Sequence, residues 1–243
     1  MIVRVFILMT ICGLLSCLPF CSNPDYVHIP DPLFRQYCLE QFDSDQDGRI
    51  SYEEAADAEV IVCSHRGICS LEGIQYFTSL KVLECNENQL TSIDLSGNTQ
   101  LERLSCRDNK LTSLELRGNK ELVHLICGKN QLRTLDLKTN VNLEYLLCAM
   151  NRLESLDISH CRNLVFLWCW KNNLQVLYLE GNPQLKTLNC TRNYLKKLDI
   201  NTNRNLHFVD CSQNPYLKEL YTAKRQKFIE MKKDDHTELH TAG

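Results

Sequence analysis

The sequence predicts a β-rich solenoid of 21-residue coils, with a parallel sheet along one side and a small helical cap before it. A cysteine recurs every 21 residues in seven places from Cys85 to Cys211, and an asparagine stands three residues after each of them, from Asn88 to Asn214. An acidic loop, residues 43–54, precedes these repeats. Because a rare residue does not keep one period by chance, the chain is predicted to be a stack of similar coils.

Each coil is predicted to contain two extended segments. Residues 122–132 read L-x-x-L-x-C-x-x-N-x-L, and residues 132–140 read L-x-x-L-x-L-x-x-N. Within L-x-C the leucine and the cysteine point inward and the residue between them points outward, which is the alternation of a strand. The first pattern resembles the conserved segment of leucine-rich repeats. The predicted fold class is therefore a leucine-rich-repeat solenoid, with repeats over residues 60–220 and a C-terminal cap over residues 221–243.

The repeated cysteines and asparagines have architectural explanations. A buried cysteine behaves as a small hydrophobic residue, so a column of cysteines is expected to fill the core as free thiols. Disulfides are the alternative, because an exported chain meets oxidising conditions, but parallel side chains on adjacent strands are poorly aimed for bonding. The asparagine amides are expected to bind backbone groups of the turns, since an unpaired buried polar group costs about 1–3 kcal/mol.

A calcium-binding loop is predicted within an EF-hand-like cap, residues 31–59. The loop, DSDQDGRISYEE, has oxygen-bearing residues at the ligand positions of an EF-hand, with Gly48 at the sharp turn. The predicted ligands of Ca²⁺ are the side chains of Asp43, Asp45, Asp47, Ser51 and Glu54 and the carbonyl of Arg49. An acidic surface turn without metal is the alternative. A lone loop with a short exit helix resembles a structural or dockerin-like site more than a paired calcium sensor.

The N-terminus predicts export. Residues 1–17 have Arg4 followed by an apolar segment, Val5 to Leu15, which is the pattern of a signal peptide. A retained membrane anchor is the alternative, although the apolar segment is short for a bilayer of about 30 Å. The sequence before Cys17 resembles a lipobox, which predicts lipidation at Cys17; cleavage by ordinary signal peptidase is the other interpretation. Residues 18–30 are assigned to a linker.

Composition and residue pattern exclude several functions. The chain has 243 residues, 44% of them hydrophobic, and a formal net charge of −3. Nucleic acid is therefore not a predicted partner, since its phosphates require clustered lysine and arginine. The seven histidines fall at unrelated phases of the repeat, and no serine or cysteine nucleophile is paired with them. We predict that the protein is not an enzyme.

A ligand-binding patch is predicted on the outer face of the sheet. Alternation exposes Phe166, Trp168 and Trp170, which include both tryptophans of the chain. The preceding coils add Tyr145 and Leu147, and then His124 and Ile126. Polar residues border this patch at 103–107 and at 187–191, and an apolar centre with a polar rim is typical of a protein interface. Stiffening of the sheet by these rings, or coverage by the C-terminal tail, is the alternative.

Together these features resemble the internalin-like surface proteins of Gram-negative gut and oral bacteria. The resemblance rests on the lipobox-like start, the calcium loop and the repeats that begin LEGIQYFTSLKVLECNENQL. It implies a cell-surface or outer-membrane lipoprotein, or otherwise a secreted or periplasmic protein, that recognises a protein or glycan ligand and meets the membrane through a lipid anchor only. A calcium-dependent, dockerin-like component of a surface complex is the alternative function. The 21-residue unit is shorter than in listerial internalins, so their cadherin ligand is not carried over.

Overall fold

The computed structural model describes residues 25–242. The predicted signal peptide, the lipidation site Cys17 and most of the linker lie outside the described residues. Within the described part, no helix combines the length and the apolar character that a bilayer crossing requires.

Short parallel strands stack into a solenoid. Nine of them form the main sheet, in the order β1-β2-β3-β4-β5-β6-β7-β9-β11, and three form a second sheet, in the order β12-β10-β8. The strands are β1 (Val60–Val62), β2 (Val82–Glu84), β3 (Arg103–Ser105), β4 (His124–Ile126), β5 (Tyr145–Leu147), β6 (Phe166–Trp168), β7 (Thr187–Asn189), β8 (Lys197–Asp199), β9 (Phe208–Asp210), β10 (Glu219–Ala223), β11 (Glu230–Lys232) and β12 (Glu238–Ala242).

The second extended half of each coil differs from the sequence prediction. Among the described residues, its segments form a regular sheet only in β8, β10 and β12. Elsewhere the backbone bonds between neighbouring coils are few in this half, and the bond from the Glu154 amide to the Arg133 carbonyl spans 3.5 Å. Buried asparagine side chains join the coils there instead: the Asn140 amide donates to the Leu116 carbonyl at 3.1 Å and to the Asn119 carbonyl at 2.8 Å. Coils are therefore joined by strand pairing on the main sheet and largely by side-chain hydrogen bonds on the other side.

The inward positions confirm the predicted alternation. Leu125, Leu146 and Leu167, at the centres of β4, β5 and β6, are fully buried, and so are the repeated cysteines from Cys85 to Cys211. Every cysteine from Cys38 to Cys211 is a free thiol. Burial raises the pKa of Cys127 and of Cys169 to about 12, because the thiolate would have to lose its hydration. In the structure the column packs as small buried side chains, in agreement with the architectural role predicted for it.

The asparagine column joins successive coils by hydrogen bonds. The Asn130 amide donates to the carbonyls of Cys106 at 3.0 Å and Cys127 at 3.1 Å, and its oxygen accepts from the Leu111 amide at 3.0 Å. The residue before it, Lys129, has a φ of 53°, in the left-handed region. The side chain thus satisfies backbone groups that a tight turn leaves unpaired, as the sequence predicts.

Asn130→Ala is expected to cost about 1–3 kcal/mol of unfolding free energy, because it leaves the buried Leu111 amide without its acceptor and removes one of the two donors to each of the Cys106 and Cys127 carbonyls. Asn142→Ala is the matched control: Asn142 is half-buried and makes a single 3.3 Å bond to the Lys120 carbonyl. Its expected cost is under about 0.5 kcal/mol. Urea denaturation measures both, and equal losses would contradict a bridging role for the column.

A helical cap covers the first coil. Helix α1 (Pro32–Phe42) begins at Asp31, whose carboxylate accepts from the Leu33 and Phe34 amides. The other oxygen of Asp31 accepts from the Cys69 amide at 2.8 Å, which ties the helix to the first coil. Helix α2 (Tyr52–Asp57) begins with a capping box between Ser51 and Glu54, and a 3-10 helix spans Ile74–Tyr76. The cap is therefore fixed to the solenoid by polar contacts.

The predicted linker, residues 18–30, is not a free linker over its described part. Val27 and Ile29 are buried in the core, and the Val27 amide donates to the Ile50 carbonyl at 2.8 Å. Tyr26 also forms an antiparallel bridge with Ser51. The alternation of Val27 and Ile29 places both side chains on one face, and that face packs on the cap.

The predicted C-terminal cap, residues 221–243, has the form of a further coil over its described part, since β11 pairs with β9 and β12 with β10. The boundary predicted at residue 220 falls inside β10. Different residues replace the repeated asparagines here: the Gln226 side chain donates to the Asn203 carbonyl, and Asp234 accepts from the Gln213 and Asn214 amides. Because these residues replace the asparagines, the 21-residue sequence period does not extend into the last coil.

Candidate functional site

The structure brings the predicted ligand-binding residues together on the outer face of the main sheet. The strand register places six of them next to one another: His124, Ile126, Tyr145, Leu147, Phe166 and Trp168. Trp170 follows two residues after the end of β6, and we call these seven residues the aromatic patch. All are half-buried apart from Trp168, which is 38% exposed. Their neighbours Leu125, Leu146 and Leu167 point into the core. The patch is thus continuous over three coils and open to solvent.

The rings of the patch stack on one another in a row. The His124 and Tyr145 centroids lie 4.6 Å apart with nearly parallel planes, and Tyr145 and Phe166 lie 6.1 Å apart. Phe166 and Trp168 are 5.1 Å apart and tilted by 47°. Burial, followed by the charge of Arg103, lowers the pKa of His124, so its ring stays neutral at pH 7. The row therefore presents an uncharged surface made largely of ring edges.

Two other roles were predicted for the aromatic patch: stiffening of the sheet by its rings, and coverage by the C-terminal tail. Cross-strand packing between the rings does occur, in the stacked row. Coverage by the tail does not occur among the described residues, because the last coil continues the sheet beside β9 and leaves Trp168 exposed. Packing within the sheet and access to a ligand are therefore compatible here.

Two residues of the predicted rim are buried. Ser105 is 5% exposed and its hydroxyl donates to the Asn86 side chain at 2.7 Å. Thr191 is 8% exposed and donates to the Asn189 side chain at 2.9 Å. Both hydroxyls are held by asparagine side chains of adjacent turns and do not extend into solvent. The polar rim is therefore narrower than predicted.

Sequence reasoning missed Phe208, which is 41% exposed on the same face. It lies in register with Thr187, two coils after Phe166, and borders a shallow pocket of about 230 Å³ that also includes Trp168, Asp210 and Lys232. The signal was present, since Phe208 has the same phase in the repeat as Phe166. Polar Thr187 between them hid the continuity.

The predicted calcium loop holds three carboxylates close together. Oxygens of Asp43, Asp45 and Asp47 lie within 4.8 Å of one another. The Gly48 amide donates to Asp43 at 3.0 Å, and Gly48 has a φ of 79°. That conformation is readily available to glycine and strained for most other residues. The turn thus aims three acidic side chains at one point.

Glu54 lies outside this group of carboxylates. One of its oxygens accepts from the Ser44 amide at 2.7 Å and the other from the Ser51 amide at 3.0 Å. Burial raises the pKa of Glu54, but the hydrogen bonds from Ser51 and Ser44 outweigh it and lower the pKa to about 2. The Arg49 guanidinium lies 5.0 Å from the Tyr26 ring centroid. The Arg49 group predicted to bind calcium is the backbone carbonyl and not this side chain. Glu54 is therefore ionised at neutral pH and engaged in helix capping.

Comparisons with known proteins support the repeat fold. Residues 78–118 match the family described as Leucine Rich repeats (2 copies). The functional domain of InlJ from Listeria monocytogenes, which includes a cysteine ladder, is 26% identical with a TM-score of 0.64 over 86% of this chain. Internalin C2 from Listeria monocytogenes is 19% identical with a TM-score of 0.63, covering 88% of this chain and 94% of its own. No curated protein matches the chain in sequence.

The extent of the similarity sets what it implies. The chain spans 60% of the InlJ domain, and at 19% identity internalin C2 shows a common fold alone. The chain is a leucine-rich-repeat solenoid similar in structure to internalins, and its buried cysteine column parallels the cysteine ladder of InlJ.

Proposed function

We propose that this internalin-like protein is an exported, non-enzymatic binding module that recognises a protein ligand through the aromatic patch. The continuous, solvent-open row of rings on a rigid sheet supports this proposal. Large exposed apolar patches on a monomer mark interaction sites, and aromatic residues at the centre of an interface contribute most of its binding energy. The residues assigned to the ligand are those of the patch, with Phe208 beside them.

The stacked arrangement favours a protein ligand over a glycan. A sugar packs its C–H groups against the negative face of an aromatic ring. In the patch, the facing surfaces of His124 and Tyr145, at 4.6 Å, are turned toward each other. The ring edges and the aliphatic side chains of Ile126 and Leu147 that remain suit the apolar side chains of a protein.

The proposed location is the outer membrane or the cell surface, reached through the N-terminal signal and a lipid on Cys17. Secretion or release into the periplasm after ordinary cleavage is the alternative. Mass spectrometry of the protein from membranes tests this point, since lipidation adds fatty acyl chains to the N-terminal fragment. A Cys17→Ala variant that remains equally membrane-bound would contradict the lipid anchor.

Trp168→Ala combined with Trp170→Ala is expected to abolish ligand binding with little change in melting temperature. Immobilised protein and variant are incubated with the same host-cell extract, and the captured proteins are compared. Tyr178→Ala is the matched control, because Tyr178 is an aromatic residue 71% exposed outside the patch. Proteins captured by the parent and the control, and lost with the double variant, are the expected result.

Two outcomes would contradict the proposed site. If the double variant captures the same proteins as the parent, the ligand binds elsewhere. If it unfolds, the rings belong to the core and not to a binding surface. Circular dichroism on the same samples separates loss of binding from loss of folding.

A second proposal is that Ca²⁺ binds the loop of the cap and stabilises it, as in a dockerin-like structural site. The convergence of Asp43, Asp45 and Asp47 supports it, since three carboxylates within 4.8 Å repel one another unless a cation is bound. Glu54, Ser51 and the Arg49 carbonyl are the other ligands proposed from the loop spacing. For Glu54 this requires its carboxylate to turn from the Ser44 amide toward the aspartates.

Calcium is expected to raise the melting temperature of the cap. At a concentration about 100 times its dissociation constant, a ligand adds about 2.7 kcal/mol to the unit that binds it. Calorimetry with calcium and with EDTA measures the difference. Asp45 is exposed and lies between α1 and α2, so Asp45→Asn removes a charge without changing the size of the side chain or either helix. This variant is expected to show a smaller increase in melting temperature with calcium. Identical melting of the parent with calcium and with EDTA would rule the site out.

A further inference from the structure

The C-terminal end of the solenoid exposes side chains at interior positions. Leu239 is in register with Leu220, yet Leu220 is fully buried and Leu239 is 45% exposed. Met231 is in register with Val209, which is 2% exposed, whereas Met231 is only half-buried. Ile229 beside them is 71% exposed. Nothing among the described residues stacks on this coil, and its apolar interior positions are accessible there.

The same end exposes two strand edges. Among the described residues, β11 is the last strand of the main sheet and β12 the last strand of the second sheet. Each edge carries backbone N–H and C=O groups without a neighbouring strand, which readily pair with another chain. The opposite end is covered by α1, which buries Phe34 and Cys38 there and whose Tyr37 hydroxyl accepts from the Val62 amide at 2.8 Å. A head-to-tail contact would have to displace this helix.

We propose that the end face formed by residues 224–241 binds a second copy of this chain about a two-fold axis that crosses both sheets. This axis places β11 antiparallel to β11 of the second copy, and β12 antiparallel to its β12. A two-fold contact uses the same surface on both copies and closes on itself. It covers Ile229, Met231 and Leu239 and pairs both strand edges.

The charges of the end face are self-complementary under this axis. Glu230 and Lys232 pair with each other within one chain. With Met231 at the centre of the antiparallel pair, Glu230 also lies opposite Lys232 of the second copy, and Lys232 opposite its Glu230, so the two pairs form one alternating network. The turn before β11 is basic, with Lys224, Arg225 and Lys227, whereas the segment after β11 contains Lys233 together with Asp234, Asp235 and Glu238, the first residue of β12. The axis places the basic turn of one copy against these carboxylates of the other. A second copy thus fits this face in its strand edges and its charges.

Sedimentation velocity of the purified protein over a wide concentration range tests the proposal. The expected result is a species of twice the monomer mass. A thiol reductant is included because Cys69 is exposed and would crosslink copies by oxidation. A single species of monomer mass at every concentration would overturn the proposal.

Charge exchange tests the geometry. Glu230→Lys alone and Lys232→Glu alone each place like charges opposite one another, so each variant is expected to be monomeric. Mixing the two restores opposite charges at both contacts, and a heterodimer is expected. Lys138→Glu, an exposed change outside the end face, is the control and is expected to leave the dimer intact. Dimeric single variants, or two monomeric variants that do not associate on mixing, would overturn the proposed axis.

Discussion

Phe77→Ala is expected to lower the unfolding free energy by about 3–5 kcal/mol, as is usual for truncation of a fully buried aromatic residue. Phe77 is completely buried where the helical cap meets the first coil. Its ring lies 6.4 Å from that of Phe34 and 5.6 Å from that of Phe42, both on α1. Alanine would leave a cavity between the cap and the first coil, which the two elements could fill only by moving toward each other.

Urea denaturation of the parent and the Phe77→Ala variant measures this loss. Tyr216→Ala is the control: it removes an aromatic ring that is 58% exposed, and its expected cost is under about 1 kcal/mol. The cap is expected to detach first, so amide exchange in α1 should accelerate more than exchange in the central strands. A cost of less than about 1 kcal/mol for Phe77→Ala would show that the cap is held by its polar contacts alone.

Gly97→Ala is expected to cost about 3 kcal/mol, the upper end of the usual range for overpacking. A methyl group on Gly97 would lie 1.8 Å from the Gln75 carbonyl oxygen of the preceding coil. The obstacle is backbone and not the end of a flexible side chain, so the two coils must separate to admit it.

Gly118 provides a matched control one coil later. The methyl group of Gly118→Ala would meet only the Ser96 carbonyl, at 3.9 Å, which is ordinary contact. This substitution is expected to be neutral or to stabilise the protein by up to about 1 kcal/mol, because alanine restricts the unfolded chain. Thermal melts of both variants give the comparison. Equal effects at the two glycines would contradict the close approach of the coils at Gly97.

Much of the aromatic patch was predictable from the repeat. Once the phase of Cys148 and Cys169 is known, strand alternation places Tyr145, Leu147 and Trp168 on the outer face. The stacking of their rings was not predictable, because it depends on the side-chain rotamers that neighbouring coils select together. Phe208 was missed because polar Thr187 intervenes in the sequence, although the three residues form one row across the sheet.

The predicted calcium loop also has one part that the sequence predicts and one part that depends on the tertiary structure. Loop spacing alone predicts the convergence of Asp43, Asp45 and Asp47, since these three residues alternate along a loop that turns sharply at Gly48. The position of Glu54 depends on the start of α2, where Ser44 and Ser51 donate to its carboxylate. A spacing rule does not include this competition between capping and metal coordination.

The sequence by itself determined the period, the buried leucine and cysteine positions, and the bridging asparagines. These features follow from contacts between one coil and the next, and every coil repeats the same contacts. Only the tertiary structure decided where the second sheet forms, how Val27 and Ile29 close the cap, and how residues 221–242 continue the stack. Each of these depends on a neighbour that breaks the repeat, as Gln226 and Asp234 do in the last coil. A periodic pattern predicts contacts between equivalent coils, whereas the ends of a solenoid are determined by contacts that occur once.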